Sequence, residues 1–265
     1  MGAPGAFGFV RKAYLKSDPS RTPYVIKHCH RSSIAASRYS SDPELGKVPI
    51  EIVVLDKIRK DPQRSAYVAH LVDFFADEKY FYVVMPCLGS ADLFDYVEMY
   101  LGKGSHRIPE GIVRHIFKQV VEGVAYLHAK GIVHRDIKDE NVIVSDNLDV
   151  TIVDFGSAAF YGPGVNFTTF CGTLDYASPE VLEGNTYRGP EQDIWALGIL
   201  FHILLFSENP FRDVAEITSK ELRFPYQVSE QAFELLNWML QRDPGNRPSA
   251  EEVVGHEFFN DTVIN

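Results

Sequence analysis

The sequence predicts an α+β fold in two lobes: a small antiparallel β-sheet lobe with one key helix, residues 1–88, and a larger, mainly helical lobe, residues 89–265. Three observations carry this. The first 88 residues place apolar side chains at strand spacing between turn-rich stretches. Beyond the segment PCLGS the apolar spacing becomes that of amphipathic helices. A chain of 265 residues that is 45% hydrophobic and 23% charged can bury the core such an arrangement needs.

Along the chain, FGFVRKAYL and PYVIKHC read as strands joined by the turn-rich SDPSRTP, and VAHLVDFFAD and KYFYVVM as two more. PIEIVVLDKIRK is the helix of the small lobe. PEGIVRHIFKQVVEGVAYLHAKG is a long amphipathic helix, with Ile112, Ile116, Val120, Val124 and Leu127 on one face, Pro109 suited to the first turn and Gly131 to the end. Residues 132–156, IVHRDIKDENVIVSDNLDVTIVDFG, supply two short hairpin-like pieces. Helices follow over residues 194–206 and 231–240, and the last begins at SAEE, where Ser249 and Glu252 match a capping box.

Lys+Arg 26 against Asp+Glu 36 gives a formal charge of -10, which argues against nucleic-acid binding and suits basic peptides or bound cations. Cys29, Cys87 and Cys171 are far apart, odd in number and in no metal-ligand spacing, so neither a disulfide framework nor a zinc site is expected. A reducing compartment follows, cytoplasmic or nuclear. The longest apolar run, residues 194–206, contains His202 and is too short for a bilayer, and the N-terminus lacks a signal-peptide layout, so no membrane association is expected.

Residues 132–156 set Asp136, Lys138, Asn141 and Asp154 among runs of Ile and Val that read as buried strand. Charges in such a place need a partner or a task. His134, Arg135, Asp136 and Asn141 match H-R-D-x-x-x-x-N, Asp154-Phe155-Gly156 follows thirteen residues after Asn141, and Ser178 to Glu180 supply SPE. A single Asp after a strand is usually a turn residue; the joint order and spacing of these motifs resembles the protein-kinase catalytic loop and metal-binding turn. Phosphoryl transfer needs a carboxylate to orient the acceptor hydroxyl, Asp136, and oxygens to hold Mg²⁺ on the phosphates, Asn141 and Asp154.

Upstream, PGAFGFV puts Gly5 and Gly8 where a turn between two strands folds over phosphates, with the N–H groups of Ala6, Phe7 and Gly8 facing the anion. Ala3 stands where the first glycine of such a loop is expected, with Gly2 one place early and Pro4 after it. Lys27 in YVIK is the strand lysine of the V-A-I-K pattern. Its helix partner is expected to be Glu51, which shares a face with Leu55 and Ile58; Glu44, in the loop-like DPELGK, is the competitor.

On these motifs the chain resembles a protein kinase over essentially its whole length, which implies a bilobal protein-kinase-like fold, ATP and Mg²⁺. Lys138, two residues after Asp136, and Thr173 in FCGTLDY resemble the serine/threonine branch, where the lysine neutralises the transferring phosphate and the threonine hydrogen-bonds the pair. HRDIKDEN, DFGSAAF, FTTFCGTLDYASPEVLEGNTYRGPEQDIWALG, FSENPF and LGKVPIEI look similar to the PAS kinases, so the resemblance implies a piece of a longer protein whose first strand starts upstream and whose sensor region lies outside this chain.

The resemblance further implies that Met85 is the gatekeeper, that the Pro86 carbonyl and Leu88 N–H meet the adenine edge, and that Val10, Val25 and Ile143 enclose the ring. Asp193 and Trp195 would begin a buried helix, and Glu180 and Arg247 a structural ion pair. Glu140 and Asp92 match positions that in basic-directed kinases bind an arginine upstream of the acceptor, a natural pairing of guanidinium and carboxylate; Asp92 equally suits the ribose. Ile203 replaces a further acid, so two adjacent arginines are not required. Arg135 is placed to receive a phosphate on Thr169, and Thr169 as an ordinary loop residue stands beside that reading. The functions in play are thus a protein serine/threonine kinase acting on substrates with basic residues before the acceptor, a partner-binding pseudokinase, and a small-molecule kinase of similar fold; the full set of Lys27, Glu51, Asp136, Asn141 and Asp154 weighs against the second, and FCGTLDYASPE against the third.

Overall fold

The computed structural model describes residues 8–89, 91–102, 104, 107–219 and 222–260. Strands β1 (Gly8–Tyr14) and β2 (Pro23–His30) form a hairpin whose turn is closed by Asp18, which accepts from the amides of Ser20 at 2.9 Å and Thr22 at 3.0 Å. An excursion follows: hairpin β3 (Tyr39–Asp42) and β4 (Gly46–Pro49), then helix α1 (Ile50–Lys60). Strands β5 (Asp73–Ala76) and β6 (Tyr80–Pro86) complete an antiparallel sheet in the order β1-β2-β6-β5.

Alternation divides the two faces of this sheet. Val25, Lys27 and Cys29 share one face of β2, and Val10, the register partner of Lys27, joins them. The opposite face carries Phe9, His28, Tyr80 and Tyr82 in mutual ring contact, with Phe9 and His28 stacked at 4.3 Å.

The larger part begins with a short strand β7 (Ala91–Asp92) and helices α2 (Leu93–Gly102) and α3 (Glu110–Ala129). Strand β8 (Ile132–Val133) pairs with β11 (Ala159–Phe160); between them β9 (Val142–Val144) and β10 (Val150–Ile152) form a hairpin to which β7 adds an edge. Then come α4 (Pro179–Leu182), α5 (Gly189–Phe206), α6 (Val214–Ser219), α7 (Glu230–Met239) and α8 (Ala250–Val254). α5 is apolar on all sides and buried almost throughout, as a helix at the centre of a lobe must be. The expected capping box is formed: Ser249 caps the Glu252 amide, and Glu252 returns to the Ser249 amide at 2.7 Å. One apolar core runs from α1 and β6 through α3 to α5 and α8.

The structure corrects several boundaries. Of the strand expected over residues 68–77 only Asp73–Ala76 belongs to the sheet, because Val68 and Ala69 are drawn to Ile152 of β10 instead. In α3, Ile112 is only half-buried and Val113 holds the fully buried position at its start. α5 starts five residues before the expected helix, and the β3–β4 hairpin was not anticipated. Among the described residues no helix is long and apolar enough to cross a membrane.

Candidate active site

The site is built where four separate segments meet. Lys27, midway along β2, points from the inner face of the sheet, and its Nζ reaches Glu51 Oε1 at 2.7 Å and Asp154 Oδ1 at 2.8 Å. Glu51 stands in the first turn of α1, 5% exposed, which settles its competition with Glu44: Glu44 pairs with Lys60 at the other end of α1. Burial works against all three charges, and the outcome differs for each. Glu51 is raised, Lys27 offsetting only part of the burial; the two carboxylates carry Lys27 above its ordinary value despite burial; and Lys27, with the Gly156 amide, overcomes burial to hold Asp154 at about 2.

Asp154 adopts φ 62, ψ 79, in the left-handed region, and its Oδ1 accepts the Gly156 amide at 3.1 Å. Phe155, next to it, is fully buried with its ring 5.1 Å from that of His134. His134 accepts the Asp136 amide on Nδ1 and lies with Nε2 3.0 Å from the Val153 carbonyl, joining the loop that bears Asp136 to the Asp154–Gly156 turn. The loop hangs from α5: the Asp193 carboxylate accepts the amides of His134 at 2.9 Å and Arg135 at 2.7 Å and meets His128 Nε2 at 2.9 Å. That anchor supports Arg135 at φ 63, a strained conformation for a side chain of its size.

Around Asp136 the expected neighbours gather. Asn141 Nδ2 donates to the Asp136 carbonyl at 2.8 Å and to its Oδ2 at 3.3 Å, and Thr173 Oγ1 donates to Oδ1 at 3.0 Å. Gly172, at φ +125, passes so close that a Cβ would lie 2.5 Å from the Arg135 carbonyl, so no other residue brings Thr173 in this way. Lys138 forms an ion pair with Glu140, and burial, which lowers its pKa, is outweighed by Glu140 and Asp136.

Asn141 commits its side-chain Nδ2 to Asp136, leaving its side-chain Oδ1 for a cation, and the Val153 amide donates to the Asn141 backbone carbonyl at 2.9 Å, which brings Asp154 alongside. An amide oxygen and a carboxylate are the hard donors Mg²⁺ takes when phosphates and water complete its shell, so the residues fit the ion.

The residues expected around adenine lie on β1, β2 and the end of β6 and, in the larger lobe, on β9. Val10, 58% exposed, and half-buried Val25 share the face of Lys27, and Met85, opposite Val25, is buried. Pro86 ends β6, Leu88 is half-buried, and Gly89 approaches Ile143 and Val144 so closely that a Cβ would lie 2.8 Å from the Val144 carbonyl. Asp92 pairs with Ile143 across β7 and β9 and accepts the Asp95 amide at 2.8 Å, capping α2; burial, then Asp95, Asp139 and Glu140, raises its pKa. Gly8 opens β1 against the His28 carbonyl, where a Cβ has no room. Ala3, Gly5, Ala6 and Phe7 lie outside the described residues. Farther off, Arg247 forks onto Glu180 with two bonds of 2.7 Å and stacks over Trp195.

Two participants were missed from sequence. Asp139, between Lys138 and Glu140, is buried and accepts the Tyr176 hydroxyl at 3.0 Å, tying the catalytic loop to the segment that carries Thr173; a third acid in HRDIKDEN was the available signal. Arg38 donates to the Gly156 carbonyl, and nothing local in its sequence marks it.

The model of the family described as protein kinase domain matches residues 2–259. The mouse PAS domain-containing serine/threonine-protein kinase is 38% identical over 94% of this chain and 17% of its own length. Serine/threonine-protein kinase PSK1 of Saccharomyces cerevisiae is 42% identical over 94% of this chain and 18% of its own, and ppk6 of Schizosaccharomyces pombe 38% over 97% and 32%. The chain thus spans less than a third of the length of these curated relatives, and ATP with Mg²⁺ is the usual substrate and cofactor of the family they share. With matching site, fold and relatives, the chain belongs to the protein kinase family.

Proposed function

We propose that this domain transfers the γ-phosphate of Mg-ATP to serine or threonine hydroxyls of proteins. The observation that carries the reading is the Lys27 ammonium shared between Glu51 and Asp154, which closes small-lobe strand, helix α1 and metal-binding turn on one cleft. Mg²⁺ bound with ATP neutralises charge on the phosphates and orients them. Asn141 and Asp154 would hold it, and Lys27, fixed by Glu51, would face the phosphates. Asp136, steadied by Asn141 and Thr173, orients the acceptor hydroxyl and accepts its proton; Lys138 stands by to offset charge on the transferring group. Val10, Val25, Met85, Pro86, Leu88 and Ile143 enclose the adenine.

Substrates with basic residues before the acceptor fit best. Burial first, and then the charge of Glu140, raise both Asp92 and Asp139 above their ordinary values at the mouth of the catalytic loop, and an arginine fork would offset that crowding of negative charge. The name of the mouse relative, PAS domain-containing, supports a sensor region elsewhere in the full protein, while three unpaired cysteines suit a reducing compartment, cytoplasm or nucleus, and the formal charge of -10 disfavours nucleic-acid partners. The decisive experiment combines purified protein, labelled ATP and a degenerate peptide library with Asp136→Asn alongside. Expected is label on serine and threonine peptides, enriched for upstream Arg, Lys or His, and none from Asp136→Asn although it still binds Mg-ATP. Mg-ATP binding with no transfer by the wild type, or transfer to small hydroxyl compounds alone, would refute the reading.

A further inference from the structure

Between Lys27 and Glu51 the chain makes the excursion that contains two helical turns, Arg31–Ser33 and Ala36–Arg38, and the β3–β4 hairpin. The excursion is braced against the small lobe. Tyr39 meets Phe81 edge-on at 6.1 Å, Val48 is 3% exposed in the core, and Glu44 in the hairpin turn pairs with Lys60 at the far end of α1 at 2.6 Å. From this platform half-buried Arg38 crosses to the metal-binding turn and donates from Nη1 to the Gly156 carbonyl.

The other side of Gly156 is held as well, since its amide donates to Asp154 Oδ1. Asp154 has the left-handed backbone that persists only where its surroundings over-determine it. Lys27 fixes the Asp154 side chain and His134 touches the Val153 carbonyl, and the Arg38 bond reaches the carbonyl of the glycine, the residue in this turn with most freedom to rotate.

We infer that Arg38 is a positioning residue: by fixing the Gly156 carbonyl it keeps the Asp154 carboxylate turned to the cleft, and it makes the β3–β4 excursion a lever on metal binding. A shift of the hairpin would reach the Mg²⁺-holding carboxylate through one guanidinium, without passing through Glu51 or Lys27. This inference rests on the Mg-ATP reading above, and its test separates the two.

The test compares wild type, Arg38→Ala and Arg38→Lys as the whole chain, measuring affinity for ADP and for a non-hydrolysable ATP analogue with Mg²⁺ and with EDTA, together with peptide-kinase activity across a Mg²⁺ titration. Arg38→Ala is expected to lose about tenfold in Mg²⁺-dependent affinity, the size of effect typical of a hydrogen bond from a charged group, with nucleotide affinity in EDTA unchanged. The Mg²⁺ concentration for half-maximal activity rises with it, and Arg38→Lys recovers part of both. A purely structural Arg38 would instead lower affinity equally with and without Mg²⁺; that outcome, or an Arg38→Ala protein identical to wild type, overturns the inference. Should Arg38→Ala not fold, Arg38→Gln carries the same comparison. Failure of the Mg-ATP reading looks different, since wild type itself would then gain no affinity from Mg²⁺.

Discussion

The Tyr176 hydroxyl donates to the Asp139 carboxylate across 3.0 Å with both residues buried, so the catalytic loop and the Thr173 segment are fastened by a bond that needs no added phosphate. Tyr176→Phe removes one of two donors from Asp139 Oδ1, the Glu140 amide at 3.0 Å remaining, at a cost of about 1–2 kcal/mol. Asp139, already raised by burial, rises further. Expected are a lower Tm and a higher KM for peptide with KM for ATP unchanged; steady-state kinetics varying each substrate in turn check this, and an equal rise in both would contradict it.

Thr169 is exposed, while the Arg135 side chain expected to receive its phosphate is 9% exposed, donates from Nε to the Ser157 carbonyl at 2.9 Å and lies over the Phe167 ring at 4.5 Å. Phe167 in turn exchanges backbone bonds with Tyr187. The guanidinium is already engaged and the loop ordered. Thr169→Ala is expected to keep turnover within about twofold, as for an ordinary surface change. Enzyme shown by mass spectrometry to carry phosphate at Thr169, and losing most of its activity in Thr169→Ala, would reverse this.

Glu51 and Asp154 hold one ammonium but titrate apart. Burial raises Glu51 above its ordinary 4.5, whereas Lys27 outweighs burial and takes Asp154 from 3.8 to about 2. As pH falls, Glu51 takes its proton first. The Asp154 contribution to stability is complete above 3.8 and disappears as pH drops through about 2; ionised Glu51 has the opposite sign, weighing against the folded state above its own raised pKa. The acid limb of kcat/KM is therefore expected above pH 4.5, where circular dichroism still reports a folded chain, and it should be absent in Glu51→Gln, whose residual activity stays low throughout. Coincident loss of activity and structure would count against it.

Cys29 is 3% exposed beside Glu51, and burial and that carboxylate push its thiol up to about 12; Cys87 and Cys171 are half-buried. Reactivity follows the thiolate. Iodoacetamide at neutral pH should modify Cys87 and Cys171 while Cys29 waits for denaturant, as read by peptide mass mapping, and Mg-ATP should slow Cys87, between Pro86 and Leu88, more than Cys171. Early labelling of Cys29 would show that its pocket opens.

Much of this was legible in the sequence because phosphoryl transfer demands particular residue types at fixed spacing: Asp136, Asn141 and Asp154 are separated by short stretches of strand that leave little freedom. The Lys27–Glu51 pair was legible because α1 has one face and Glu51 lies on it. The β3–β4 hairpin was not, since its strands are four residues each and its inward side chains, Tyr39 and Val48, are too few to set a period. Arg38 and Asp139 escaped because each acts on a group distant in sequence, and an arginine in a polar stretch or an acid beside two others looks like solvated surface. Strand 68–77 was overdrawn because Val68 and Leu71 are buried by packing outside the sheet, which leaves the same apolar pattern as pairing.

Asp193 belongs to α5, yet it is Asp193 that gives His134 and Arg135 their shape. The bend that carries Asp136 is therefore templated from a helix nearly sixty residues downstream, and the shape of the loop is a property of the finished lobe and not of its own short sequence.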